Sequence, residues 1–274
     1  MGNMALPHEA EAIADISRTF AAELEAMTRL HNAVVDMMSV GSWTIGKRGI
    51  DGLLFDTMIG LLTKACKTFR AIQILCERGF IDDADVLVRV LMENAVAILF
   101  ILQKKPRERA RIYHAHGMTQ SIKMLNEWRR TPGLKRKATN KVMKEADEEL
   151  ASLTKSLPAG TDFTHHWSGK RNFQEAVKAL RGDAMYATLY RYTSSVAHTS
   201  DFGGHVEIEH SSGDRIWQIE PRACGFEAAS YAARDLFWLA ANRIDQRLGL
   251  GFSAVLAHLE VKRQSRRPTK SQRV

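Results

Sequence analysis

The sequence predicts an all-α fold, a multi-helix bundle carrying a small β-hairpin insertion near residues 205–220. Three observations lead there. Apolar residues recur at spacings of three and four through most of the 274 residues, which is the helical period. Gly (18) and Pro (6) are scarce for a turn-rich all-β chain of this length. One segment alone, HVEIEH-SSGD-RIWQIE, alternates about a turn as a hairpin does. Hydrophobic residues at 45% and charged residues at 26% are ordinary for a globular chain and exclude collagen-like, mucin-like and mainly disordered classes.

The elements follow in order. After Pro7, the stripe Ile13, Ile16, Phe20, Leu24, Met27 and Leu30 predicts one long helix from about His8 to Met38, broken by Gly41 to Gly49. A second helix runs from about Asp51 to Arg78, with Gly79 as its C′ residue. Asp82 or Asp83 is expected to cap a third helix, which reaches about Lys104 and is apolar on nearly every side. A helix of that kind is the centre of a core. Pro106 opens a fourth helix that ends at about Arg130 before Pro132 and Gly133. A charged fifth helix covers about Ala138 to Leu157, before Pro158. Thr161 to Gly169 reads as loop, and short helices follow at about Asn172 to Leu180 and Ala184 to His198. Hairpin strands are expected near His205 to His210 and Arg215 to Glu220, and the last long helix at Phe226 to Leu248. This divides the chain into an N-terminal helix (1–40) packing on the bundle, a bundle domain (50–260) and a flexible basic tail (261–274).

The net charge is +8, and much of the excess sits in the tail, where Lys262, Arg263, Arg266, Arg267, Lys270 and Arg273 occur without an acid. Such a tail suits nucleic acid or an acidic surface, and equally a solvated terminus. Three cysteines without a CxxC pair argue for a reducing compartment. The N-terminus has no basic n-region followed by an apolar stretch. The longest apolar run, Ala95 to Leu102, is too short for a bilayer. A soluble cytoplasmic protein without membrane attachment is expected.

Four groups of residues invite chemistry. Asp85, Arg89 and Glu93 lie four apart on the apolar third helix and form one stripe. They are either a buried ion pair setting helix register or a polar floor on which Arg89 meets an anion. In the helix around Tyr186 and Tyr190, Arg191, Ser194 or Ser195 and His198 share a face. An arginine and a histidine can cleave RNA without metal, the imidazole moving the proton and the guanidinium bracing the phosphorane. His165, His166, His205 and His210 suggest zinc, but they come from separate segments with no HExxH or cysteine partner, so no metal is expected. Trp167 is a core plug or a stacking surface. Between Trp128 and Lys144, Arg129, Arg130, Lys135, Arg136, Lys137, Lys141 and Lys144 form a run without acids. That run either tracks a phosphate backbone or is a solvated helix face. No P-loop, dinucleotide-binding glycine fingerprint or GxSxG elbow occurs, and no cofactor is expected.

Taken in order, several of these motifs resemble a mostly bacterial, all-helical family catalogued as a domain of unknown function. The matching residues are Lys67-Thr68, Ala71-Ile72 to Leu75, Gly79, Asp83-Ala84, Leu87-x-Arg89-x-Leu91-x-Glu93, Arg109-Ala110 to Tyr113, His166-Trp167, and Tyr190, Ser194 and His198. They span about Asp51 to Thr199. The resemblance implies that Arg89, Glu93, Trp167, Tyr190 and His198 converge on one polar site, with Ser194 a further ligand-binding candidate. The chain is more loosely similar to HEPN-type proteins, helical bundles that often act as metal-independent RNases in toxin and defence systems. Their Arg-x4-6-His mark fits Arg191 and His198, although Tyr192 stands where a different polar residue is usual. That likeness implies a homodimeric endoribonuclease with Arg191 and His198 catalytic. RNA would then be held by residues 129–144 or by the tail. Two other expectations stand beside it: a noncatalytic binder of an anionic small molecule or nucleotide anchored at Arg89, and a dimeric interaction scaffold.

Overall fold

The computed structural model describes residues 9–39, 51–131, 136–197, 206–208, 215–217 and 221–259, and for 136–139, 206–208 and 215–217 the backbone alone. His198, His205, His210 and the basic tail therefore lie outside the described residues.

The helix expected at His8 to Met38 is divided into α1 (Glu9–Thr19) and α2 (Ala21–Ser39). The division falls at Phe20, whose carbonyl accepts from Glu23 N, tightening the turn, while its ring stacks on Phe226 at 4.0 Å. Helix α3 (Gly52–Arg78) begins as expected at Asp51, whose side chain caps Leu54 N, and ends at Gly79. Gly79 has φ 79°, and its N–H reaches back to the last turn, the left-handed C-cap that glycine adopts without a steric penalty. Helix α4 (Ile81–Gln103) starts at Phe80 with no side-chain cap. The expected capping by Asp82 or Asp83 is replaced by another use of Asp82, a two-pronged pair with Arg222 at 3.0 and 2.9 Å.

Helix α4 is the central element, packed between α3 and α10 (Phe226–Leu248). Its buried face includes Val88, Leu91, Ala95, Ile98 and Ile101, and the Phe69–Phe237 stack at 4.4 Å ties α3 to α10 beside it. Helices α5 (Pro106–Arg130) and α6 (Arg136–Lys155) form an antiparallel pair. After a loop come α7 (Phe173–Ala179), a one-turn α8 (Asp183–Met185), a π-helical turn (Tyr186–Tyr190) and α9 (Arg191–Ala197). Asn172 caps α7 by accepting from Glu175 N at 3.0 Å. Helix α11 (Ser253–His258) packs against α10.

The fold class needs correcting at the hairpin. Among the described residues the ladder comprises β1 (Val206–Ile208) and β2 (Arg215–Trp217), with Val206, Glu207 and Ile208 opposite Trp217, Ile216 and Arg215; the other residues of the two expected six-residue strands lie outside the described residues. Two strands of three residues, each the other's sole strand partner among the described residues, supply no sheet face for a core to form on. The architecture is an all-α bundle, and the expected hairpin insertion is not a layer of it. Period-two patterning marks where two strands pair and says nothing about whether they build a layer of the core.

Pro221 and Arg222 sit against the end of α3. Arg222 N donates to Gly79 O at 3.0 Å. A Cβ on Gly79 would stand 2.8 Å from Pro221 Cβ and 2.9 Å from Arg222 N, so the close crossing requires glycine as much as the positive φ does.

Candidate functional site

The polar stripe on α4 is where the bundle departs from an apolar core. Asp85, Arg89 and Glu93 lie along the side of α4 that meets the π-turn and α9. Arg89 donates from Nε to Glu93 Oε1 and from Nη2 to the Tyr190 hydroxyl, each at 3.3 Å. Its guanidinium carbon also lies 5.1 Å from the Tyr190 ring centroid, within cation–π range. The Arg89 side chain keeps 21% of its exposure, so the cluster is open at one edge.

Behind Arg89 the rings form a small aromatic wall. Tyr186 and Tyr190 are stacked at 5.0 Å, and Phe173 packs on Tyr190 at 4.7 Å. Both tyrosines belong to the π-helical turn, a local widening that often marks functional sites. Burial pushes the Tyr190 phenol up, while the Arg89 hydrogen bond and charge pull it down.

Asp85 is the most buried acid of the stripe, 5% exposed. Burial pushes its carboxyl up to about 6, the Tyr192 hydroxyl that donates to it acts in the opposite sense, and Asp82 adds like-charge repulsion. A carboxyl in that range exchanges its proton near neutrality.

The expected residues divide as follows. Arg89, Glu93 and Tyr190 come together. Trp167 does not join them: it packs edge-on to Phe100 and Tyr113 at 5.8 and 5.9 Å. Phe100 is eleven residues along α4 from Arg89, about 16 Å at the helical rise, so Trp167 is a plug at the other end of the helix. Ser194 is half-buried on α9, and Arg191 at the start of α9 is exposed. His166 Nδ1 contacts Ser168 Oγ at 2.7 Å, and burial together with His116 holds its imidazole below the usual range. His165 pairs separately with Asp162. Among the described residues no three His, Cys, Asp or Glu side chains are grouped to hold a metal.

The basic run on α5 and α6 is described only in part. Trp128 is 48% exposed, while Arg130, Lys141 and Lys144 lie near Glu127, Glu145 and Glu148 of their own helices. No helix among the described residues is long and apolar enough to cross a membrane.

Two partners escaped sequence reasoning, Tyr192 on Asp85 and Phe173 behind Tyr190, whereas the i,i+4 spacing of Tyr186 and Tyr190 already made them neighbours. Residues two apart do not share a helix face, so no helical pattern pairs both Tyr190 and Tyr192 with α4. The one available signal was the stripe itself, since three ionisable residues on an apolar helix require partners from elsewhere.

No curated protein and no solved structure matches the chain. Residues 55–214 run from within α3 past α9 and hold the whole stripe with its aromatic wall. They match one family model, and on that match the chain belongs to the family of unknown function DUF5677.

Proposed function

We propose that the α4–α9 face binds a nucleotide, or another small anion bearing a ring, with Arg89 as the anchor. The observation that supports this is the placement of a partly exposed, hydrogen-bonded guanidinium against the stacked Tyr186–Tyr190 pair. A guanidinium whose position is already set loses little freedom on meeting a phosphate. The adjacent phenol rings offer a surface on which a heterocycle stacks. Asp85 gives the site a proton-exchanging group, so the bound state is expected to depend on pH near 6. The test is titration of the protein with AMP, with Arg89→Lys and Tyr190→Leu alongside. Saturable binding by wild type that weakens about tenfold or more in each variant, with both variants folded, supports the reading. Absence of saturable binding, or equal binding by all three proteins, rejects it.

A second reading is favoured by the exposure of Arg191 at the start of α9, the helix that leads to His198. In a HEPN-like endoribonuclease these two residues would brace the phosphorane and move the proton. RNA cleavage in EDTA, lost in both Arg191→Ala and His198→Ala, would establish it.

A further inference from the structure

At the opposite end of α4 from the stripe, the structure contains a second cationic feature with a cavity of its own. The cleft is an open groove of about 700 Å³ between the start of α5, the segment just after α6 and the end of α10, room enough for a solvent-facing anion. Lys105, Arg107, Arg111 and Arg247 line it, with Glu108 as the one acid, and Leu157 and Pro158 close its apolar side.

The cations come from different parts of the chain. Arg107 and Arg111 are one helical turn apart, an i,i+4 pair of like charges that by itself disfavours the helix. Arg247 is brought to the same cleft by the last turn of α10, and no carboxylate pairs with it among the described residues. Arg111 is held from behind. Asp51 uses Oδ1 to cap α3 and Oδ2 to accept from Arg111 at 3.1 Å, which fixes the guanidinium at the cleft wall. Lys105, paired with Glu108 at 3.1 Å, has a left-handed backbone (φ 46°) just before Pro106. Arg109, between the two lining arginines, takes another role: it stacks on Phe100 at 3.8 Å and donates to the Phe100 carbonyl at the end of α4. The alternation therefore separates a structural arginine from two that face the cleft.

We propose that this cleft is a binding site for a polyphosphate chain, free or carried on a nucleotide. Arg107, Arg111 and Arg247 converge from two helices, with Lys105 beside them in its pair with Glu108, and such a set matches several closely spaced negative charges better than one; arginine grips phosphate oxygens in pairs. No aromatic ring lines the cleft among the described residues, so recognition falls on the phosphates and not on a base.

The test is isothermal titration with tripolyphosphate and, separately, ATP and AMP at fixed low salt. Arg107→Gln, Arg247→Gln and their double variant are compared with Lys123→Gln, which lies farther along α5. Wild type is expected to bind tripolyphosphate saturably. Each cleft variant should lose about tenfold in affinity, the double variant more, and Lys123→Gln should match wild type. ATP binding as tightly as tripolyphosphate, and lost in the same variants, identifies a nucleotide's phosphate chain as an accepted source. Tripolyphosphate alone binding identifies the free anion. AMP binding that survives in the double variant belongs to the α4–α9 face and leaves the two sites separable. No saturable binding of tripolyphosphate overturns the proposal. So does an equal loss in Lys123→Gln, which would mean diffuse attraction to a basic surface.

Discussion

Replacing Asp85 with asparagine tests the electrostatics of the stripe directly. The carboxyl titrates at about 6 in the fold and at 3.8 ordinarily, with burial as the main cause. Because the folded value is raised, the fold binds the proton more tightly than the open chain does. The stabilisation from the neutral acid is therefore fully present below about pH 4 and is lost as pH rises through about 6. The gap corresponds to about 3 kcal/mol between the two ends of that window. An asparagine amide at this position would mimic the neutral acid at every pH and still accept from Tyr192. Asp85→Asn is thus expected to match wild type at pH 4 and to be more stable by about 3 kcal/mol at pH 7.5, a rise in Tm of about 6–12 °C for a domain of this size. The assay is urea unfolding of both proteins at pH 4, 5, 6 and 7.5, compared as the difference at each pH. Other carboxylates titrate in the same window, but they cancel in the difference when they are distant. A difference that is flat across the window, or a variant less stable at pH 7.5, would refute the reasoning.

Gly79→Ala should destabilise by about 2–4 kcal/mol, combining a left-handed φ with displacement of the Pro221–Arg222 crossing. Gly60→Ala, in α3 with open space around the new methyl, should stabilise by about 0.5–1 kcal/mol, and thermal melts of the pair check both signs. Of the three cysteines, Cys224 is exposed, while burial pushes the Cys66 and Cys76 thiols up to about 12. Alkylation of the native protein at pH 8 should label one thiol quickly and the other two only in denaturant. Fast labelling of two or more would contradict that burial.

The bundle was legible because its long helices carry strong periodic signals. Gly79 was placed correctly from sequence because one local rule governs a helix C-cap. Phe20 was not, since the division of the first helix depends on packing against Phe226, which lies over two hundred positions away. The same distinction separates the parts of the site. Asp85, Arg89 and Glu93 announce themselves by spacing on one helix. Tyr192 finds Asp85 only through the meeting of α9 with α4, and Trp167 reaches Phe100 and Tyr113 only through the loop before α7. The hairpin was given too much weight for the converse reason: the alternation was visible, and whether it built a layer of the fold was not.

The placement of the stripe bears on what it is for. A central helix can carry three ionisable residues only if one of its sides is covered differently from the rest. Helices α3 and α10 cover α4 with apolar side chains, whereas the stripe is covered by the π-turn and α9, a short segment whose contacts to it are phenols. The segment is itself anchored in the core, with Thr193 fully buried and Tyr186, Leu189 and Tyr190 packed against the apolar cluster, so the stripe is held at the edge of the core and not apart from it. A stabilising Asp85→Asn at neutral pH would strengthen the inference, since a buried acid that weakens the fold where the protein works is the pattern of a site maintained for function.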